Sequence, residues 1–248
     1  MVSFNPSKDI PSLQGKVILV TGGNIGLGRQ SILEFSRHDP AQIWLAARNL
    51  DKARVTADEI KQHVPGAPIK LLELDLTSFE SVKNAAKTFG EESDRLDILM
   101  CNAGIMMAPP GVTKEGYEIQ FGTNHMGHAL LTRLLLPVLE KTAARSDADV
   151  RVVSMSSYGH SSAPKEGMVF GSLQDTGRND GVTRAVWTEQ VGEYPLGKGA
   201  GQAISSIHGG RGTPGGGEYE SSFGCNRCSI LGQNVVRYDE KGGIHCVG

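Results

Sequence analysis

Thr21, Gly22, Gly26 and Gly28 stand in the stretch "VTGGNIGLGRQ", directly after the apolar run Lys16 to Val20 and at the mouth of a segment with helical periodicity. Glycines in such a turn let the backbone bend tightly and approach a pyrophosphate, whose charge then rests on the N–H groups that open the helix. Between a strand and a helix, the turn points to a dinucleotide cradle; in an ordinary loop it would mark only a bend. Arg48, in "LAARNLDKA", follows the next apolar run. An acidic residue there would hold the ribose 2′-hydroxyl of NAD, whereas an arginine can pair with the 2′-phosphate of NADP. The plainer alternative is an exposed residue at a helix start.

Elements must hold these residues in place, and from Lys16 to about Ser157 short apolar runs alternate with longer amphipathic ones. That alternation is the pattern of βαβ units around a parallel sheet. It predicts strands over Lys16–Val20, Gln42–Ala47, Ile69–Leu74, Leu96–Cys101 and Val150–Met155, and helices over Gly26–Arg37, Leu50–His63, Ser78–Glu91 and Gly116–Ala144. Thr77 and Ser78 offer hydroxyl caps, with Glu80 in the first turn. The expected fold is therefore α/β, a Rossmann-like doubly wound parallel sheet.

After about Gly167 neither period persists, and the composition shifts between Gly177 and Ala185. Residues 1–165 are expected to form the nucleotide-binding domain, and residues 166–248 an atypical, poorly ordered segment. A chain of 248 residues with 39% hydrophobic content suffices for one sizeable α/β core. A formal net charge of −2 argues against a broad basic field for nucleic acid, so a small molecule is the expected partner. The first residues lack the pattern of a secretory or transit peptide, and no window is apolar enough to span a membrane, so a cytoplasmic protein is expected. Cys101, inside an apolar run, reads as a reduced core residue.

The TGxxxGxG spacing resembles the short-chain dehydrogenase/reductase family, and further stretches agree with it over about Gly15 to Ser162. Asp75 in "ELDLTS" matches the family aspartate that contacts the adenine ring. "CNAG" matches the signature after the fourth strand, with Asn102 and Gly104 beside the cofactor ribose. "TNHMGHALLTRLLLP" resembles the fifth helix of the retinol-dehydrogenase-like branch, which includes many fungal secondary-metabolite reductases. Asn124 there corresponds to the family's catalytic asparagine, and Ser157 in "VRVVSMSSYGH" to its catalytic serine, with Ser156 as the neighbouring alternative. The resemblance implies cofactor contacts at Thr21, Gly22, Ile25, Gly26, Gly28, Arg48, Asp75, Leu76, Asn102, Ala103 and Gly104. It implies hydride transfer between NADP(H) and a small carbonyl or alcohol, and it assigns no metal.

The family also carries YxxxK on its next helix, where the lysine, one turn on, lowers the tyrosine pKa from its ordinary value near 10. Tyr194 and Lys198 have that separation in "EYPLGKG", but Pro195 follows the tyrosine and Gly197 and Gly199 flank the lysine. No helix is expected there, so the match is read as accidental. Back-translation offers another account. Moved forward by one base from Ala185, the codons permit "RYGQSKLANILLARELAK" as far as Gln202, then "PYPQFTVVAVHPG" from Ala203 to Gly215. The first resembles the family's catalytic helix and the second its sixth strand and HPG turn, so we read this region as translated out of its ancestral frame.

Two expectations follow for the tail. Strand five should present an unpaired edge, and an oligomer built on the missing helix is doubtful. Cys225, Cys228, His245 and Cys246 include zinc-ligand types, but the adjacent His and Cys fit one tetrahedral ion poorly. Three functions thus compete: an NADP-dependent reductase, an inactive nucleotide-binding remnant and, last, a zinc-dependent interaction module.

Overall fold

The computed structural model describes residues 5–157, 173–174, 235–238 and 244–246. After a short helix α1 (Pro6–Asp9), the chain alternates β1 (Val17–Thr21), α2 (Gly26–Ser36), β2 (Gln42–Ala47), α3 (Leu50–His63), β3 (Ile69–Glu73), α4 (Phe79–Glu92) and β4 (Ile98–Cys101). A helical stretch then runs from α5 (Ile119–Phe121) through a π-turn (Gly122–Met126) into α6 (Gly127–Ala143), ahead of β5 (Arg151–Met155). These five strands are parallel and ordered β3-β2-β1-β4-β5, the doubly wound arrangement expected from the sequence.

Alternate residues of the central strands supply two cores. Leu19, Trp44 and Leu99 turn to one face, where Val82 and Phe89 of α4 and Leu131, Leu135 and Leu139 of α6 cover them. Ile18, Val20, Ile43 and Leu45 turn to the other, under Ile32 of α2 and Ala53, Ala57 and Ile60 of α3. Burial of each large aliphatic side chain contributes about 1.5–3 kcal/mol, which sets the sheet register firmly. Asn49 caps α3 by accepting from Lys52 N at 2.9 Å, and Ser78 caps α4 as its position predicts. At the amino ends of the strands Asp97, fully buried, accepts from Val17 N and pairs with Lys16 and Arg95. This network closes the sheet on the side away from the glycine turn.

Two expectations need correction. The helix predicted over Gly116–Ala144 starts later, because Gly116 adopts φ 83 in a turn, and it is widened by the π-turn before α6. Nor is β5 an unpaired edge. β6 (Val235–Tyr238) pairs antiparallel with β5, and β7 (Ile244–Cys246) with β6, extending the sheet to seven strands among the described residues. The pairing covers the carboxyl end of the edge, at Ser154 and Met155, and strands of three or four residues leave no sustained period to read in a sequence.

Candidate functional site

The carboxyl ends of β1 and β4 meet at Thr21, which is fully buried. Its Oγ1 accepts from the backbone N–H of Asn102 and of Ala103, both at 2.9 Å. Asn102 answers with its side chain, donating from Nδ2 to the Thr21 carbonyl at 2.9 Å and to the Gly22 carbonyl at 3.4 Å. The glycine turn and the "CNAG" segment are thus bound into one unit, which accounts for two of the sequence-predicted groups lying together.

Within that unit, glycine is required at specific places. Gly22 has φ 64, and a Cβ there would stand 2.9 Å from Ala103 Cα. A Cβ on Gly28 would overlap the Gly22 carbonyl oxygen and come within 2.6 Å of Asn102 Nδ2. Gly26, with φ 54, faces open space instead. No side chain caps α2 at Ile25, so its first N–H groups point out of the turn without a side-chain acceptor. Glycines packed tightly behind the turn and open space at Gly26 form a cradle of the shape that admits a phosphate group.

The other predicted residues lie in the segments that follow the neighbouring strands. Arg48 follows β2 and is exposed. Asp75 follows β3, where its Oδ1 accepts from Thr77 N at 3.0 Å and Thr77 Oγ1 at 2.8 Å, turning the chain into α4. Leu76 is buried against the start of α6, because a Cβ on Gly127 would stand 2.7 Å from its carbonyl oxygen. Gly104 lies beside Asn124, whose Oδ1 accepts from Ile105 N and whose Nδ2 donates to Ile105 O, each at 2.8 Å. Ser157 is exposed two residues beyond β5, with Ser156 beside it half-buried. Ile25, Met106 and Met107 are exposed at 69%, 66% and 69%, giving the loops after β1 and β4 apolar side chains.

These loops follow the carboxyl ends of parallel strands, where open α/β sheets bind their ligands. Residues 16–171 match the family model for short chain dehydrogenases. The chain belongs to the short-chain dehydrogenase family. It is 44% identical over 66% of its length to an uncharacterized oxidoreductase of Schizosaccharomyces pombe, covering 49% of that protein. Against retinol dehydrogenase 13 of Homo sapiens the identity is 39%, over 62% of this chain and 44% of the relative. This short-chain dehydrogenase therefore spans about half the length of the curated relatives it matches. Among solved structures, an uncharacterized protein from Mycobacterium paratuberculosis is 29% identical with a TM-score of 0.60, covering 74% of this chain and 60% of that one. The Pseudomonas aeruginosa RhlG/NADP complex shares the fold at a TM-score of 0.61 and 22% identity, covering 83% of this chain and 71% of that one.

One buried residue of the site stands within the stretch TNHMGHALLTRLLLP, four residues after Asn124, and carries no role implied by the resemblance. His128 Nε2 is 2.8 Å from Thr21 Oγ1, and its Nδ1 is 2.6 Å from the Asn124 carbonyl oxygen. Burial pushes its pKa down to about 4, against a smaller upward influence of the Asn124 hydrogen bond. A single histidine on a helix with an apolar face carries no sequence signal beyond its place three residues before Leu131. Tyr194, Lys198, Cys225 and Cys228 lie outside the described residues, and for His245 and Cys246 the strand backbone alone is described. No described helix is long and apolar enough to cross a membrane.

Proposed function

We propose that this chain is an NADP(H)-dependent oxidoreductase acting in the cytoplasm on a small, mostly apolar carbonyl or alcohol, with a role in secondary metabolism. The observation that carries the reading is the cradle in which Gly22 and Gly28 allow backbone contact while Thr21 and Asn102 join β1 to β4. A bound nicotinamide would supply or take up hydride. Gly22, Ile25, Gly26 and Gly28 would hold its pyrophosphate, with Asp75 and Leu76 at the adenine and Asn102, Ala103 and Gly104 along the ribose. Ser157 would hold the substrate oxygen, and Asn124 would fix the loop beside it. Ile25, Met106 and Met107 suit an apolar substrate. Residues 1–165 would be the cofactor-binding domain.

Arg48→Ala should weaken NADPH binding about tenfold and leave NADH binding nearly unchanged, since the guanidinium is assigned to the 2′-phosphate alone. Calorimetric titration with both cofactors tests this; equal losses for the two would remove Arg48 from the phosphate site. Gly28→Ala should reduce the affinity for either cofactor by at least about tenfold, because the added methyl meets the Gly22 carbonyl and Asn102. Unchanged binding by the folded variant would show that the cradle is not the cofactor site.

A second reading, an inactive nucleotide-binding remnant, is favoured by one finding. The family match stops at residue 171, ahead of any YxxxK pair. Cofactor binding without turnover over a panel of carbonyls would select it.

A further inference from the structure

We infer that His128 is a positioning residue of the cofactor cleft: as its Nδ1–H tautomer it ties Thr21 to Asn124 and thereby aims the Asn102 and Ala103 amides. The inference deepens the oxidoreductase reading, on which it rests for the ligand of the cleft; the hydrogen bonds themselves are independent of that ligand.

The tautomer follows from counting donors and acceptors. A carbonyl oxygen can only accept, so the 2.6 Å contact with the Asn124 carbonyl requires a proton on His128 Nδ1. A hydroxyl has two acceptor positions and one donor. Both acceptor positions of Thr21 Oγ1 are used by the Asn102 and Ala103 N–H groups at 2.9 Å. Its proton is therefore directed to His128 Nε2 at 2.8 Å, in preference to the Met100 carbonyl at 3.4 Å. Every hydrogen-bonding position of the hydroxyl is then filled, and its rotation is fixed.

The consequence reaches both strands of the cleft. Thr21 ends β1 and Asn124 lies in the π-turn, where Gly127 N bonds to the Gly122 carbonyl. His128 is buried at 7% exposure between them, joining two segments 107 residues apart in the chain. Asn124 in turn holds both backbone groups of Ile105, so the path runs from β1 through the imidazole to the loop carrying Met106 and Met107. An aromatic ring of similar size would fill the space but could make neither bond. Packing and positioning are thus separable.

The test compares wild type with His128→Phe, His128→Gln and Thr21→Val by residue-resolved amide hydrogen exchange, together with ring-nitrogen NMR of the wild type. Wild type should show His128 with a protonated Nδ1 and a bare Nε2. His128→Phe should speed exchange at Asn102, Ala103 and Ile105 by about tenfold relative to amides of β2, with His128→Gln recovering part of the protection. Thr21→Val and His128→Phe combined should give less than the product of their separate effects at Asn102. Exchange at these amides that follows global stability alone, or an Nε2–H tautomer, would overturn the inference. NADPH titration separates this from the functional reading: a wild type that binds no cofactor removes that reading, while the tautomer and exchange results still decide the role of His128.

Discussion

A chain translated one base forward from the codon of Ala185 is expected to reduce carbonyl compounds with NADPH at least about 10²-fold faster than the chain as written. General acid–base groups contribute roughly 10²- to 10⁴-fold, and the shifted frame permits a tyrosine across the codon of Val186 and a lysine across that of Gln190. Lysine placed one helical turn from tyrosine holds the phenol pKa below its ordinary value, so proton exchange becomes effective near neutral pH. Wobble bases are free in such a reading, but the outer bases are fixed, and they suit every position from Ala185 to Gly215. The family match, ending at residue 171, stops before this region. Sequencing the transcript across Gly167–Gly217 and assaying both chains on a carbonyl panel tests the expectation. A transcript without YxxxK in the next frame, or a shifted chain no faster than the original, would sink it.

The five parallel strands were legible because their core faces are almost wholly apolar. Ile18, Leu19, Val20, Ile43 and Leu45 are fully buried, and each lies in a run bounded by polar or glycine residues. The glycine turn was equally legible, since Gly22 has a positive φ and a close approach by Ala103, and Gly28 a close approach by the Gly22 carbonyl. The π-turn was not. Residues Gly116–Ala144 keep a helical apolar period through it, and periodicity does not register the close approach to Leu76 at Gly127, where the widened turn ends. His128 is not legible for a related reason: Asn124 is its neighbour one turn back, but Thr21 meets it only after β1 and α6 pack together. β6 and β7 were missed because two short antiparallel strands leave only a few residues of pattern.

Stability should fall below pH 6.5 in a way traceable to His128. Burial pushes its pKa in the folded chain down to about 4, below the ordinary histidine value near 6.5. The sign follows directly: the unfolded chain takes up a proton as pH drops through 6.5, while the folded chain resists until about pH 4. Stability from this group is therefore complete above pH 6.5 and is lost as pH falls toward 4, amounting to about 3 kcal/mol across the window. Desolvation is the main cause, with His125 adding unfavourable charge and the Asn124 carbonyl opposing both. His125, itself lowered by burial, titrates in the same direction and remains present in a His128→Phe variant. The exposed carboxylates of Asp94 and Asp147, held low by Lys141 and Arg95, lose their charge at lower pH. Subtracting the variant's urea-unfolding free energy from that of wild type at pH 7.5, 6, 5 and 4.5 thus isolates His128. The difference should shrink steadily as pH falls, with a slope approaching one proton; parallel curves would show that the imidazole titrates alike in both states and that its burial does not lower its pKa.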